Sequence, residues 1–303
     1  MSFVVATDDG LYHVDEDDAS ARRLVEGPFR HVVPADEGAV ALAADGTLWS
    51  IDEDGEANEF EELPPTKGQP LCVLVNGTDV WAGTSGAHLL LVREGELTPV
   101  RAFDEVEGRE RWSTPWGGPP DVRSLDVDED DVLFAGVHVG GIVRSVDGGD
   151  TWLPSGEIEW DVHQVVTVPE YASTVLAACA VGMALSTDAG ESWEIEDRGL
   201  HATYCRALAV AGDHVVMSVS QGPGGEEACL YRRALEDSVF ERCRVGLPEW
   251  FPTNVDTHCL TAWEEQVVVA GPGTGSLYVS HDVGLRWHEM ALGLPEPRAV
   301  VIL

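Results

Sequence analysis

The sequence predicts an all-β fold, a seven-bladed β-propeller built from four-stranded antiparallel blades. Three observations carry this prediction. A motif of Ser, Asp, Gly and Trp recurs three times in the 303-residue chain, short apolar runs recur between turn residues, and no stretch shows clear helical periodicity. Several short strands within a repeat of about 40 to 50 residues are typical of propeller blades.

The motif reads Ser-x-Asp-x-Gly-x-x-Trp, and its spacing sets the length of the repeat. It occupies residues 145 to 152, 186 to 193 and 280 to 287. The first two copies begin 41 residues apart, and the next two begin 94 apart, which leaves room for one unit without the motif. Upstream, SIDEDG at 50 to 55 is similar to a copy stretched by one residue. One blade per copy, with unmarked blades between, fits this spacing.

The residue types of the motif suit a tight turn between two strands. The Asp side chain can accept hydrogen bonds from the N–H groups of the turn, and the Gly supplies a positive φ. The Trp opens the next strand, and its indole is large enough to cover the contact with an adjacent sheet. We therefore predict structural roles for the twelve motif residues, Ser145, Asp147, Gly149, Trp152, Ser186, Asp188, Gly190, Trp193, Ser280, Asp282, Gly284 and Trp287.

The motif resembles the Asp-box of sialidase-type (BNR repeat) propellers, of sortilin-like receptor propellers and of the photosystem II assembly propeller. The resemblance implies the propeller fold and leaves the ligand open. Sialidases of this class hold a substrate carboxylate with three arginines, but they typically have six blades. Their tyrosine–glutamate nucleophile pair and acid/base aspartate cannot be placed in this sequence, where Tyr204, beside Arg206, is the nearest tyrosine candidate.

The inner strand of each blade is predicted as a short apolar run introduced by a turn. The C-terminal run at 299 to 303 has no partner downstream, whereas the N-terminus opens with three strands that need a fourth. We expect the C-terminal strand to complete the N-terminal blade and so close the ring without a free sheet edge. Residues 1 to 303 then form a single domain. The other six inner strands are predicted at 31 to 35, 72 to 75, 124 to 127, 165 to 168, 207 to 210 and 259 to 263.

Composition narrows the cellular setting and the partners. The chain has 54 acidic and 18 basic residues, a net charge of −36, and Lys67 as its only lysine. This composition resembles that of cytosolic proteins from salt-accumulating haloarchaea, in which molar salt shortens the Debye length to about 3 Å and screens the repulsion. The sequence lacks a basic stripe for nucleic acid, an apolar run of about 18 residues and the basic start of a signal peptide. We expect a cytoplasmic monomer that binds neither nucleic acid nor membrane.

The six cysteines form no C-x-x-C pair, which argues against a zinc ribbon or a redox motif. Four of them lie in apolar strand patterns, where Cys acts as a small buried hydrophobe. Cys229 and Cys243 can face each other across one hairpin, but free thiols are expected in the cytosol.

Basic residues gather where the predicted inner strands begin. Six of the seven blades have an Arg or a His at this position, and only the blade with the run at 72 to 75 does not. The loops at these strand ends share one face with the loops between the second and third strands, so we expect the basic residues at the mouth of the channel. They are Arg30, Arg123, His163, Arg206, His258 and Arg298.

Two interpretations of this set remain open. Converging guanidinium groups can bind a carboxylate or a phosphate bidentately, which would make the mouth an anion site. Alternatively, each basic residue pairs with a nearby acid and the ring only holds the inner strands together. The acids available for such pairs are Asp121, Asp161, Asp256 and Glu296.

Other side chains in the same loops complete the predicted ligand-binding set. Aromatic rings beside fixed polar groups are typical of sugar and peptide platforms. A metal site built from His138, His163 and His258 lacks a spacing that would fix its geometry, so we predict no metal and no cofactor. The added residues are His138, Trp116, Trp160, Tyr204 and Trp250.

Two functions follow. The first is a non-catalytic propeller that binds a small anionic ligand or a protein partner at the channel mouth, as the assembly-factor propellers suggest. The alternative is a sialidase-like glycoside hydrolase acting on an acidic sugar, which needs two carboxylates about 5 to 9.5 Å apart. The candidate carboxylates are Asp121, Asp161, Asp256, Glu159 and Glu249. We favour binding.

Overall fold

The computed structural model describes residues 1–65, 67–115, 117–169 and 171–303. Its strands form seven four-stranded antiparallel sheets, so the fold is the predicted seven-bladed β-propeller. The chain divides into two compact units, the first made of Met1–Glu61 and Asp197–Leu303, the second of Glu62–Glu196. Among the residues that the structure describes, no helix is long and apolar enough to cross a membrane.

The blades follow the predicted order of inner, second, third and outer strand. The strands up to the fourth blade are β1 Ser2–Thr7, β2 Gly10–Asp15, β3 Ser20–Glu26, β4 Phe29–Ala35, β5 Gly38–Ala43, β6 Thr47–Ile51, β7 Ala57–Glu62, β8 Pro70–Asn76, β9 Asp79–Thr84, β10 Leu89–Arg93, β11 Glu96–Pro99, β12 Val122–Val127, β13 Leu133–Val137, β14 Gly141–Ser145 and β15 Leu153–Pro154. A short helix, α1 Arg101–Asp104, and a 3-10 turn at Arg109–Arg111 lie between β11 and β12.

The remaining blades continue the same pattern after a 3-10 turn at Ile158–Trp160. Their strands are β16 Val162–Thr167, β17 Val175–Cys179, β18 Gly182–Ser186, β19 Glu194–Glu196, β20 Tyr204–Ala211, β21 His214–Ser220, β22 Cys229–Ala234, β23 Glu241–Arg242, β24 Leu260–Trp263, β25 Gln266–Gly271, β26 Ser276–Ser280, β27 His288–Ala291 and β28 Pro297–Ile302. All seven predicted inner strands are confirmed, as β4, β8, β12, β16, β20, β24 and β28.

The two chain ends meet in one blade of the first unit. Strand β28 pairs antiparallel with β1, with Phe3 opposite Ile302 and Ala6 opposite Ala299. Apolar side chains on both strands, such as Val4 and Val301, are buried in one core. The predicted closure by the C-terminal strand is therefore confirmed.

The three motif copies form the same hydrogen-bonded turn. In each copy, the Ser hydroxyl donates to Oδ1 of the Asp at 2.8 to 2.9 Å and accepts the N–H of the Gly at 2.8 to 2.9 Å. The same carboxylate accepts the N–H of the residue before the Trp at 2.8 Å in all three. These aspartates fasten turns, as the sequence predicts.

The glycine of the first copy shows why this position is restricted. Gly149 has a φ of 92°, and a Cβ there would lie 2.4 Å from the Trp81 ring of the preceding blade. The Trp81 and Trp152 rings meet edge to face, with centroids 6.3 Å apart. The turn therefore brings the motif Trp against the preceding sheet, the contact with an adjacent sheet that is expected from its size.

The stretched copy at 50 to 55 keeps only part of this pattern. Asp52 still accepts N–H groups of its turn, from Asp54 at 3.1 Å and Glu56 at 2.8 Å. The Ser50 hydroxyl instead donates to the Asn58 carbonyl at 3.3 Å. The inserted residue lies between the aspartate and the glycine, and the Gly55 N–H bonds the Asp52 carbonyl at 2.9 Å instead of the serine hydroxyl.

All six cysteines are free and buried. Burial raises the pKa of Cys229 to about 11 and that of Cys243 to about 12, so neither is a thiolate near neutral pH. The expected free thiols are present at both positions.

Candidate functional site

The inner strands of the second unit share a β-bulge at the end where they begin. A bulge places an extra residue in one strand, and it can re-aim a side chain near a functional site. Arg123 is the extra residue in the pairing of β12 with β13, and His163 is the extra residue in the pairing of β16 with β17. In β8 the extra residue is Leu71. The blade that has no predicted basic residue thus has the bulge without the charge.

The first unit repeats this arrangement. The register passes over Arg30 in β4 and over Arg298 in β28, and Arg206 lies in the irregular segment of β20. His258 instead precedes β24, at a φ of 68°, and its ring lies 3.8 Å from that of His31. Burial, together with the charge of His258, lowers the pKa of His31 well below its usual value. The predicted basic residues therefore occupy equivalent backbone positions within each unit, except for His258.

Two of the arginines in the first unit pair with carboxylates. Nη1 of Arg206 lies 2.9 Å from Oδ1 of Asp256, one of the acids proposed for such pairs. Arg298 forms a bidentate pair with Asp8, through Nε at 2.6 Å and Nη2 at 2.8 Å. Glu296, the acid expected there, accepts the N–H of Gly273 instead.

Arg30 differs from these two arginines. Its Nη2 donates to the Ala44 carbonyl at 3.5 Å, and no carboxylate of the described residues lies within ion-pair distance of it. Its Nε is buried and has no hydrogen-bond partner among the described residues. Among the described residues, Arg30 is therefore the bulge arginine of the first unit without a carboxylate partner.

The predicted aromatic residues are only partly available as a platform. The Arg242 guanidinium lies 3.8 Å from the centre of the Trp250 ring, and that of Arg206 lies 5.7 Å from Tyr204. In the second unit, Trp160 packs edge to face on Trp193 at 6.2 Å. Trp116 lies outside the described residues.

Asp161 joins two of the predicted histidines in the second unit. Its Oδ1 lies 3.0 Å from Nε2 of His138, and its Oδ2 lies 3.7 Å from Nε2 of His163. Burial alone would raise the pKa of Asp161. The hydrogen bond from His138 and the charges of His163 and Arg123 outweigh burial, so this pKa lies below its usual value.

A second carboxylate, Asp104 at the end of α1, gathers three basic side chains. Lys67 Nζ lies 3.1 Å from Oδ2, His88 Nδ1 lies 2.5 Å from Oδ1, and Arg109 Nη2 lies 3.8 Å from Oδ1. Burial raises the pKa of Asp104, but the hydrogen bonds from His88 and Lys67 lower it by more. The pKa therefore lies below its usual value, and Asp104 is ionised near neutral pH. Its single charge faces the two permanent charges of Lys67 and Arg109, which leaves the cluster positive.

A cavity of about 610 Å³ opens beside this cluster, within the second unit. The loops that enter β8 and β12 form its wall together with the loop between β9 and β10. The wall therefore lies at the strand ends where the sequence predicts a ligand. Its residues are Lys67, Gly68, Ser85, Gly86, His88, Gly118, Pro119 and Asp121.

Lys67, His88 and Arg109 are not among the site residues predicted from the sequence. Lys67 comes three residues before β8, outside the strand-entry position that defined the predicted set. One signal was available, because Lys67 is the only lysine in the chain. His88 and Arg109 reach Asp104 from separate loops, and this contact leaves no pattern in the sequence.

No family model matches the sequence, and no curated protein matches it. Solved structures resemble the chain in fold. A putative 6-phosphogluconolactonase from Bacteroides uniformis is 14% identical, with a TM-score of 0.69 over 100% of this chain and 99% of that one. YCF48 from Cyanidioschyzon merolae is 15% identical, with a TM-score of 0.63 over 89% and 88% of the two chains. An ancestral GH74 enzyme is 14% identical, with a TM-score of 0.61 over 83% of this chain and 36% of that one. At these identities, the likeness shows the fold alone.

Proposed function

We propose that the chain is a non-catalytic β-propeller that binds an anionic ligand at the loops entering its inner strands. The ligand is a small molecule or an acidic group of a protein partner. One observation carries the proposal: of the six inner-strand bulges found among the described residues, five hold an Arg or a His. The chain has only 18 basic residues against 54 acidic ones, so the recurrence of basic residues at the inner-strand bulges is notable.

The Asp104 cluster supports the same chemistry in the blade whose bulge residue is apolar. Lys67 and His88 line a cavity with room for a small molecule. The Lys67 side chain is 39% exposed, so its ammonium group is accessible from the solvent. The wall also contains one carboxylate, Asp121, so the preference for an anion rests on the part of the wall beside Lys67. Because hydrogen bonds between charged groups are stronger than neutral ones, a carboxylate or phosphate is the ligand class that Lys67 favours.

The hydrolase alternative has less support from the candidate carboxylates. A glycoside hydrolase needs a general acid that keeps its proton near neutral pH, which requires a raised pKa. The pKa of Asp161 is lowered by its histidine and arginine neighbours after burial has raised it. Asp256 is already engaged in an ion pair, with its Oδ1 2.9 Å from Nη1 of Arg206.

A paired screen in molar KCl tests the proposal. Sialic acid, sugar phosphates and dicarboxylates are added in thermal-shift measurements, and fluorogenic sialosides and other glycosides are added in turnover assays. We expect at least one anion to raise the melting temperature and no glycoside to be hydrolysed. Turnover of a sialoside would establish the hydrolase instead, and the absence of any shift would contradict anion binding.

The variant Arg206→Ala separates ligand binding from a purely structural ion pair. We expect a bound anion to lose about 1.5 to 3 kcal/mol of binding free energy, the scale of a hydrogen bond to a charged group. The free energy of unfolding should change by no more than about 1 kcal/mol, because the partner Asp256 is half exposed. Loss of stability with no anion bound to the wild type would leave only the ion-pair interpretation.

A further inference from the structure

The cluster of His138, Asp161 and His163 combines side chains from two adjacent blades of the second unit. His138 lies in the loop after β13, and Asp161 and His163 lie where β16 begins. His138 is 4% exposed and His163 is fully buried, while the Asp161 side chain is 29% exposed. The cluster is therefore a buried pair of imidazoles that is reached from the solvent past one carboxylate.

The backbone holds these groups in place. The bulge in β16 passes over His163, which turns this side chain out of the regular alternation. Asp161 has a φ of 51° and a ψ of 70°, a left-handed conformation that few residues other than glycine adopt. The N–H of Ala180 donates to the Asp161 carbonyl at 3.3 Å. The carboxylate is therefore positioned by constraints on its own peptide.

The spacing of the ligand atoms suits a metal ion. The three groups offer two imidazole nitrogens and one carboxylate oxygen, all within 4.8 Å of one another. Ions bound at about 2.0 to 2.2 Å by such ligands have neighbouring ligand atoms about 3 to 3.5 Å apart. The distances of 3.0 Å from Oδ1 of Asp161 to His138 and of 3.7 Å from its Oδ2 to His163 are close to this range.

The chemistry of the donors narrows the kind of ion. Imidazole is a ligand for zinc, copper, iron and nickel, whereas calcium and magnesium prefer all-oxygen sets. The charge of Arg123 also acts on Asp161. A cation bound here must therefore be held by coordination bonds more than by net negative charge.

We propose that His138, Asp161 and His163 bind a divalent transition-metal ion, with Zn²⁺ as the first candidate. Three protein ligands leave at least one coordination position open, and the exposed edge of Asp161 marks the side from which water or a ligand atom reaches it. This replaces the sequence expectation of no metal, because Asp161 supplies the ligand that the histidines alone lacked. The inference is independent of the anion site beside Lys67, but it removes His163 from the basic bulge residues, because a metal-bound imidazole is neutral.

The first unit contains a natural comparison. Glu16, His281 and His288 also bring one carboxylate and two imidazoles together, with His281 Nε2 at 2.7 Å and His288 Nε2 at 3.4 Å from Oε1 of Glu16. Both histidine side chains are 48% exposed. Adventitious binding of a metal ion by exposed histidines would therefore occur at this triad, and a variant of the triad serves as the control.

The experiment uses the untagged full chain after treatment with a chelator. Co²⁺ is titrated and followed by its visible absorption, and Zn²⁺ is then added as a competitor. The variants are Asp161→Asn, His163→Gln and the control His281→Ala. Asp161→Asn keeps the side-chain shape, and Asn tolerates a positive φ, so this variant should fold even if His163→Gln does not.

We expect the wild type to bind Co²⁺ and to release it to Zn²⁺. Asp161→Asn should weaken binding more than about 100-fold, since even loss of an outer-shell partner costs about 10- to 100-fold. His281→Ala should retain the spectrum and the affinity. The proposal is overturned if the wild type binds no metal ion, if folded Asp161→Asn binds as well as the wild type, or if His281→Ala alone abolishes the signal.

Discussion

Nζ of Lys67 lies 3.1 Å from Oδ2 of Asp104. Oδ1 of the same carboxylate lies 2.5 Å from Nδ1 of His88 and 3.8 Å from Nη2 of Arg109, so one negative charge is shared by three basic side chains. Arg206 and Asp256, by contrast, form a pair of one cation and one anion. We therefore expect the cluster around Asp104 to attract an anion more strongly than the balanced pair does.

The closing strand leads to a prediction about the fold. Deleting residues 298 to 303 removes β28 from β1 and exposes the apolar edge that includes Phe3 and Val5. An exposed apolar strand edge pairs with other chains, so we expect the truncated protein to aggregate. Light scattering and denaturant unfolding check this. A soluble truncation that unfolds cooperatively would contradict the role of β28.

The motif tryptophans are predicted to differ in their effect on stability. Trp152 and Trp287 are 5% and 6% exposed, so replacing either by Ala should reduce the free energy of unfolding by about 3 to 5 kcal/mol. Trp193 is only half-buried and bonds Ser155 rather than its own turn, so Trp193→Ala should cost less. Urea unfolding measures all three. Selective loss of anion binding without loss of stability would place the ligand at the motif turns instead.

Asp188, the aspartate of the second motif copy, predicts a loss of stability in acid. Hydrogen bonds from the Ser192 hydroxyl, the Ser192 N–H and the Ser186 hydroxyl lower the pKa of Asp188 to about 2. Because this folded-state pKa lies below the unfolded value of about 3.9, the stabilisation is complete above about pH 5 and is lost as the pH falls towards 2. Urea unfolding of the wild type and Asp188→Asn should show a difference that shrinks over this interval. A difference that stays constant with pH would contradict this assignment.

The net charge of −36 predicts a strong dependence of stability on salt. Repulsion among the carboxylates is screened as the Debye length falls from about 10 Å at 0.1 M to about 3 Å at 1 M. We expect the melting temperature to rise steeply from dilute buffer towards molar KCl and then to level off. Calorimetric scans in a KCl series measure it, and a melting temperature indifferent to salt would rule out adaptation to high salt.

The sequence predicts the fold better than the site because the two depend on different information. The motif turn is local, since Ser145, Asp147 and Gly149 bond within one segment, and three copies reveal the repeat. The strand-entry residues are also visible, but the bulge that turns them is a mismatch between two strands. Their partners are equally non-local. Asp8 replaces Glu296 beside Arg298 because β28 pairs with β1, and Asp161 faces His138 across two blades.

The central claim is that basic groups at the entries of the inner strands bind an anion, and calorimetric titration of Lys67→Ala tests it most directly. A hexose phosphate and sialic acid are the probes, in molar KCl and in dilute buffer. The control is Arg93→Ala, which removes an arginine paired with Asp79 at 2.6 Å, at the opposite end of the strands from Lys67. We predict that Lys67→Ala weakens the binding of at least one probe about 10- to 150-fold, while Arg93→Ala binds like the wild type. Equal affinities in all three proteins, or no binding by the wild type, would contradict the claim.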